Sequence, residues 1–212
     1  MHRLVSYAAA LICFLASTSL TYAEDGQAAN RTRVGFGPKI GVNLSKMDGT
    51  SWEGGYKTNL LAGAWLAVNG SRFGLQLEGV FTQTSYITGS NFDSIYHQYM
   101  QAGTDSLTNG RFRLNYFNIP LIVQVRILNR VWLQVGPQYS GVVSIQDKDE
   151  FVKDATALFE DGTISIIGGL WVEMTRHLNA GARYVLGLSD LNKTDIEAWK
   201  QRDLQIHIGY RF

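Results

Sequence analysis

From Val34 onward, apolar and polar residues alternate with a period of two, the pattern of strands whose two faces meet different surroundings. In one stretch Phe73, Leu75, Leu77 and Phe81 oppose Gly74, Gln76, Glu78, Thr82 and Thr84. In the last, Leu204, Ile206, Ile208, Tyr210 and Phe212 oppose Gln205, His207, Gly209 and Arg211. The alternation predicts eight strands, near 34–44, 58–68, 73–85, 112–127, 131–143, 163–174, 178–188 and 203–212. Most have at least the length that a tilted membrane-crossing strand needs, and their number is even, as closed antiparallel barrels of bacteria require. Two places resist a clean reading. Trp65 and Leu66 compete for the outward face of the second strand, and Pro120 is expected at a bulge.

The connections alternate between long and short. Ser45–Lys57, Tyr86–Arg111, Ser144–Gly162 and Ser189–Arg202 are long, whereas Asn69-Gly70-Ser71-Arg72, Leu128-Asn129-Arg130 and Thr175-Arg176-His177 are tight. Outer-membrane barrels show this asymmetry, with tight turns on the periplasmic side and longer loops outside. An Arg or Lys facing lipid at the midplane costs about 2–4 kcal/mol. Turning the first and seventh strands over would expose Lys39 and Arg183 in that way, so the apolar faces are expected outward. A lipocalin-like barrel has the same strand count but keeps an apolar interior and a polar exterior, the reverse of this pattern. Tyr210, Phe212, Phe73, Tyr184 and Trp132 are expected to form an aromatic girdle near the periplasmic edge. The fold class expected is therefore all-β, a closed eight-stranded antiparallel transmembrane β-barrel.

The first 23 residues differ from the rest. Arg3 is followed by an uncharged apolar run from Leu4 to Leu20, and Thr21-Tyr22-Ala23 supplies small residues at the first and third places before Glu24-Asp25. The pattern is that of a secretory signal peptide cut after Ala23. A membrane anchor is the competing reading; the run is slightly short of a span and a cleavage pattern follows it. Residues 1–23 are thus read as signal peptide, 24–33 as a periplasmic leader and 34–212 as the barrel domain. The single cysteine, Cys13, lies in the signal, and Ile12 before it is not the small residue that a lipoprotein site requires. The mature chain then has no disulfide.

Charge adds little and excludes something. Only 17% of residues are charged, against about a quarter in soluble domains, and the formal net charge is +1. Loss of the signal takes Arg3 and no acid, leaving acids and bases in equal number. No basic excess exists to draw the chain onto nucleic acid. No apolar run long enough for a transmembrane helix follows residue 23, so only a closed barrel offers a way across a membrane.

Several motifs, in order, resemble the PorT-like outer-membrane β-barrel family of Bacteroidota. Gly37-Pro38-Lys39-Ile40-Gly41-Val42-Asn43-Leu44-Ser45 resembles its opening strand, and Gly74-Leu75-Gln76-Leu77-Glu78 its third strand with an inward acid. Leu114-Asn115-Tyr116-Phe117-Asn118-Ile119-Pro120-Leu121-Ile122 is similar to its Y-x-x-I-P-L strand, although Asn118 stands where an acid is common. Gly136-Pro137, Arg183-Tyr184 with Gly187-Leu188, and Ile208-Gly209-Tyr210-Arg211-Phe212 are similar to its later strands. The resemblance covers residues 34–212 and implies an outer-membrane barrel without implying an activity. Some members of the family are linked to secretion across the outer membrane.

Catalytic chemistry is weakly signalled. His97 lies in the longest loop near Asp93, Ser94 and Tyr96, but catalytic groups must converge with an orienting partner, and a solvated loop histidine fits as well. His177 falls in a tight turn and His207 on the inward face. No paired Cys/His spacing suggests zinc, and no glycine-rich loop opens a helix to hold phosphate, so no cofactor is expected. Lys39, Glu78, Arg126, Glu173, Arg183 and Arg211 are the inward charges. They suggest either an ion path or an internal network of ion pairs; an eight-stranded barrel has room only for its own side chains, which favours the network. Lys39 and Arg183 are both candidates for pairing with Glu78. Tyr210 and Phe212 resemble the terminal signal read by the barrel-assembly machinery. The expected partners are outer-membrane lipid, that machinery, and other envelope or secretion proteins. The expected role is structural or interactive; an enzyme acting on lipid or peptide at the outer rim is the alternative.

Overall fold

The computed structural model describes residues 32–101, 109–150, 152–194 and 196–212. The signal peptide and most of the leader expected at 1–33 lie outside the described residues. The alternating stretches form eight strands: β1 (Arg33–Asp48), β2 (Lys57–Asn69), β3 (Phe73–Ile87), β4 (Arg111–Leu128), β5 (Val131–Asp147), β6 (Gly162–Glu173), β7 (Leu178–Gly187) and β8 (Lys200–Tyr210). Each is antiparallel to the next, and β1 pairs with β8 from Lys39↔Gly209 to Asp48↔Lys200, which closes the barrel. Closure leaves no sheet edge, so every strand has a partner on both sides.

Three strands run further than the hydrophobic pattern predicts. β1 reaches Asp48, β5 reaches Asp147, and β8 begins at Lys200. The ladders continue there through pairs such as Lys46↔Arg202 and Arg113↔Gln146, where the outward face has turned polar or charged. Alternation in hydropathy ends with the apolar band, whereas backbone pairing does not.

Parity decides the two uncertain strands. Trp65 is 3% exposed and points inward, while Leu66 is 47% exposed. Pro120 is not at a bulge. The β3–β4 register is the same on either side of it, from Leu77↔Leu121 to Val80↔Asn118, and on the other flank Pro120 pairs with Gln138. Its missing N–H coincides with a short gap in the β3 ladder. The irregularities of β4 lie between Asn115 and Tyr116 and between Arg126 and Leu128. The girdle also needs correction. Trp132 shares the inward face with Gln134 and Gln138 and is fully buried. Tyr184 lies toward the long loops, where its hydroxyl is 3.4 Å from that of Tyr56. Phe73, Tyr210 and Phe212 are exposed at the tight-turn end.

The four long connections are L1 (49–56), L2 (88–110), L3 (148–161) and L4 (188–199). L2 contains a one-turn helix, α1 (Phe92–Tyr96), followed by a 3-10 turn (His97–Tyr99), and L3 a 3-10 turn (Ala155–Ala157). No helix of the described residues is long and apolar enough to cross a membrane.

Candidate functional site: the barrel interior and its cap

The interior is filled in three levels. Inward residues of β1, β3 and β7 form the central one. Glu78 receives hydrogen bonds from Lys39 Nζ at 3.0 and 2.9 Å and from Arg183 Nη1 at 2.7 Å, and all three side chains are buried. The sequence left two candidate bases for Glu78; in the barrel both bond to it. Two cations share one carboxylate, and neutral groups complete the shell. Gln76 donates to Glu78 at 2.6 Å and itself accepts from Gln124, while Arg183 Nε donates to Gln205 at 2.6 Å. Lys39 Nζ also lies 5.9 Å from the centre of the Trp171 ring. Gly169, beside Arg183, is small of necessity: a Cβ there would stand 2.4 Å from the Ala182 carbonyl oxygen and 2.5 Å from Arg183 Cβ.

The tight-turn end is closed by aromatics and a second ion pair. Trp65 and Trp171 meet edge to face at 5.5 Å, in space left open by Gly209. Glu173 is the last residue of β6 rather than a mid-strand group. It accepts from Arg211 Nη2 at 3.0 Å and from Trp132 Nε1 at 3.2 Å. Arg126 is only partly buried at the mouth and covers the Trp132 ring at 4.4 Å. The six charges expected inward thus divide into the triad Lys39–Glu78–Arg183 and a mouth group of Arg126, Glu173 and Arg211. The structure adds an inward acid that the sequence reading missed, Asp203 of β8, buried and bonded by Gln201 at 2.7 Å. His207 is buried against Trp171, and His177 Nδ1 lies 3.0 Å from the Arg211 carbonyl oxygen.

The loop end carries a cap that sequence reading missed. Trp52 of L1, Phe92 and Tyr96 of α1, Phe159 of L3 and Trp199 of L4 are buried together with Phe112 and Tyr116 of β4. Trp52 and Trp199 meet edge to face at 4.9 Å. Isolated bridges join each loop to the next: Trp52↔Thr88, Met100↔Val152 and Phe159↔Asn192. The ring closes through Glu197 of L4, whose carboxylate accepts from the backbone N–H and hydroxyl of both Thr50 and Ser51 of L1. Asn192 Nδ2 adds a bond to the Tyr96 hydroxyl at 2.7 Å. Arg111 clasps Asp149 of L3 through two side-chain bonds at 2.8 and 3.1 Å, and these bonds hold the carboxyl below the usual aspartate range. The available signal was the number of large apolar residues inside segments otherwise read as solvated loops.

Among the described residues no catalytic partner is bonded to His97. Ser94 donates to the Asn91 carbonyl at 2.9 Å, within its own helical turn, and no hydrogen bond links His97 to Ser94 or Asp93. Among the described residues no group of three His, Cys, Asp or Glu side chains is placed to hold a metal.

A closed eight-stranded antiparallel barrel with an apolar outer wall and a polar, ion-paired interior is a transmembrane barrel, and the protein is a small outer-membrane β-barrel protein. The chain belongs to the outer membrane protein beta-barrel domain family, whose model matches residues 25–193. No curated protein matches it. Among solved structures it is similar to Neisserial surface protein A, at 12% identity and a TM-score of 0.50 over 84% of this chain and 97% of that one. It is also similar to Ail, the attachment invasion locus protein of Yersinia pestis, solved with the heparin analogue sucrose octasulfate. There the identity is 16% and the TM-score 0.44, over 85% and 99% of the two chains. OprG of Pseudomonas aeruginosa gives 11% and 0.42 over 84% and 94%. At such identities the likeness is one of fold.

Proposed function

We propose that the protein is a sealed barrel with a structural or interaction role. It presents a preformed loop surface outside the cell or supports an envelope or secretion complex. The observation that supports this reading best is the closed ring of loops: L1 to L4 are stitched edge to edge over a common aromatic core. Loops that serve only as links have no need of such a core. An ordered platform lowers the entropy lost when a partner docks. The triad below the cap fills the lumen, which argues against a conduit.

Export by a signal peptide cut after Ala23, a tight-turn end in the periplasm, and an assembly signal at Tyr210 and Phe212 belong to the same proposal. Phe212 N–H donates to the Phe36 carbonyl at 3.0 Å, and its ring packs against Phe36 and Tyr210, which sets an aromatic patch on the outer wall. The resemblance to PorT-like proteins of Bacteroidota is what brings secretion into the proposal. Photo-crosslinking in intact cells from exposed Gln98 and Thr156 on the cap, with lipid-facing Leu75 as control, tests the reading. Discrete adducts from the cap positions support it. Their absence, with a phenotype lost on His97→Ala, would favour an outer-rim enzyme instead.

A further inference from the structure

The two ends of the barrel carry charge in opposite ways. At the loop end the bases are mixed Lys and Arg, and many are paired: Lys46 and Arg202 with Asp48, Lys57 with Glu53, Arg111 with Asp149, and Lys193 with Asp161. At the tight-turn end, among the described residues, there is no lysine, and the permanently charged bases are all arginines: Arg33, Arg72, Arg126, Arg130, Arg176 and Arg211, with His177 beside Arg211. Glu173 is the one acidic side chain there among the described residues, and it is already bonded to Arg211 and Trp132. Arg33, Arg72, Arg130 and Arg176 are exposed, and among the described residues none of them has an ion pair.

Their placement is regular. The arginines occur at the start of β1, in each of the three tight turns and at the end of β8, so that they encircle the barrel. Beside them stand strongly exposed apolar side chains: Val34 next to Arg33, Phe73 next to Arg72, Leu128 close to Arg130, Met174 close to Arg176, and Phe212 next to Arg211. The charges therefore begin where the hydrocarbon-facing wall ends, at headgroup depth. A guanidinium fork matches a phosphate with two parallel bonds where a lysine offers a point charge. An acidic protein partner would be met by a one-sided patch, whereas a ring fits ligands that surround the barrel.

We propose that this rim is a collar for the phosphodiester headgroups of anionic phospholipids, held by Arg33, Arg72, Arg130 and Arg176. With the tight turns in the periplasm, as proposed above, these are lipids of the inner leaflet. The test does not depend on that orientation, so its failure would leave the orientation untouched. Wild type is refolded into vesicles of phosphatidylcholine containing a minor fraction of phosphatidylglycerol. The lipids contacting the barrel are then measured with spin-labelled phosphatidylglycerol and phosphatidylcholine. Phosphatidylglycerol should be enriched about fivefold in the boundary layer, the effect of one basic group near an anionic surface, and raised salt should erode the enrichment. Joint Arg33→Gln, Arg72→Gln, Arg130→Gln and Arg176→Gln substitution should remove it while leaving a heat-modifiable barrel. Joint Lys46→Gln and Lys193→Gln substitution at the loop end should not. Equal partition of the two lipids in wild type, or selectivity that survives the fourfold variant, would overturn the proposal. So would binding of polyglutamate by wild type without lipid selectivity, which would assign the rim to an acidic protein.

Discussion

Glu78 and Arg183 stand 105 residues apart in the chain and meet in the barrel interior at 2.7 Å, with Lys39 bonded to the same carboxylate from a third strand. Removing the carboxylate leaves two buried cations facing each other. Breaking a buried ion pair in this way costs about 3–5 kcal/mol. Urea unfolding in detergent should show Glu78→Ala destabilised by that amount. Glu78→Gln should lose less, because its amide oxygen still accepts one hydrogen bond. Wild-type stability in both variants would remove the triad from the account of the fold.

The Glu197 latch makes a separate prediction. Its carboxylate accepts from the backbone N–H and hydroxyl groups of Thr50 and Ser51, and an amide in its place turns one acceptor into a donor. Glu197→Gln should cost about 1–3 kcal/mol of local cap stability. Hydrogen exchange should accelerate in residues 49–56 and 188–199, while the amides of the barrel strands keep their protection. Acceleration spread evenly over the strands would mean that the cap and barrel are one unit.

Gly169 is tested by adding a single methyl group. Its Cβ position is blocked by backbone oxygen of Ala182 and by Arg183, which the triad holds in place. Gly169→Ala should destabilise by about 3 kcal/mol, the upper part of the usual overpacking range. Gly168→Ala is the matched control, since nothing lies within 4 Å of a Cβ there, and it should unfold near wild type. Equal behaviour of the two would contradict the packing described for β6 and β7.

Deletion of Phe212 should lower the yield of folded, heat-modifiable barrel in the outer membrane. In the proposed assembly role, the exposed patch it forms with Phe36 and Tyr210 is what the machinery would read. Gel mobility of boiled and unboiled membranes measures this, and unchanged levels would count against the assembly role.

The strands and their inward faces were legible because hydropathy alternates wherever one face meets lipid and the other does not. Lys39, Glu78 and Arg183 could be placed inward by parity alone. Their meeting could not, since it depends on strand stagger around the barrel, which hydropathy does not record. Tyr184 was misplaced for a simpler reason: its own strand runs from the tight turn at His177 toward the long loop and already carries it past the midpoint. Parity on β5 already put Trp132 with Gln134 and Gln138, and the error there was to read every strand-end aromatic as part of a girdle. The cap was illegible for a different reason. Trp52, Phe92, Phe159 and Trp199 come from four loops with no common period, so only the folded chain shows that they form one core.

The proposed seal of the lumen consists of the aromatic cap above, the Lys39–Glu78–Arg183 triad in the middle and the tryptophans with Glu173 and Arg211 below. Single-channel recording of the purified wild-type protein in a planar lipid bilayer tests it most directly. The sealed barrel predicts a flat baseline under applied voltage, with no lasting open level. A steady, reproducible open conductance in wild type would contradict the account and make the barrel a channel.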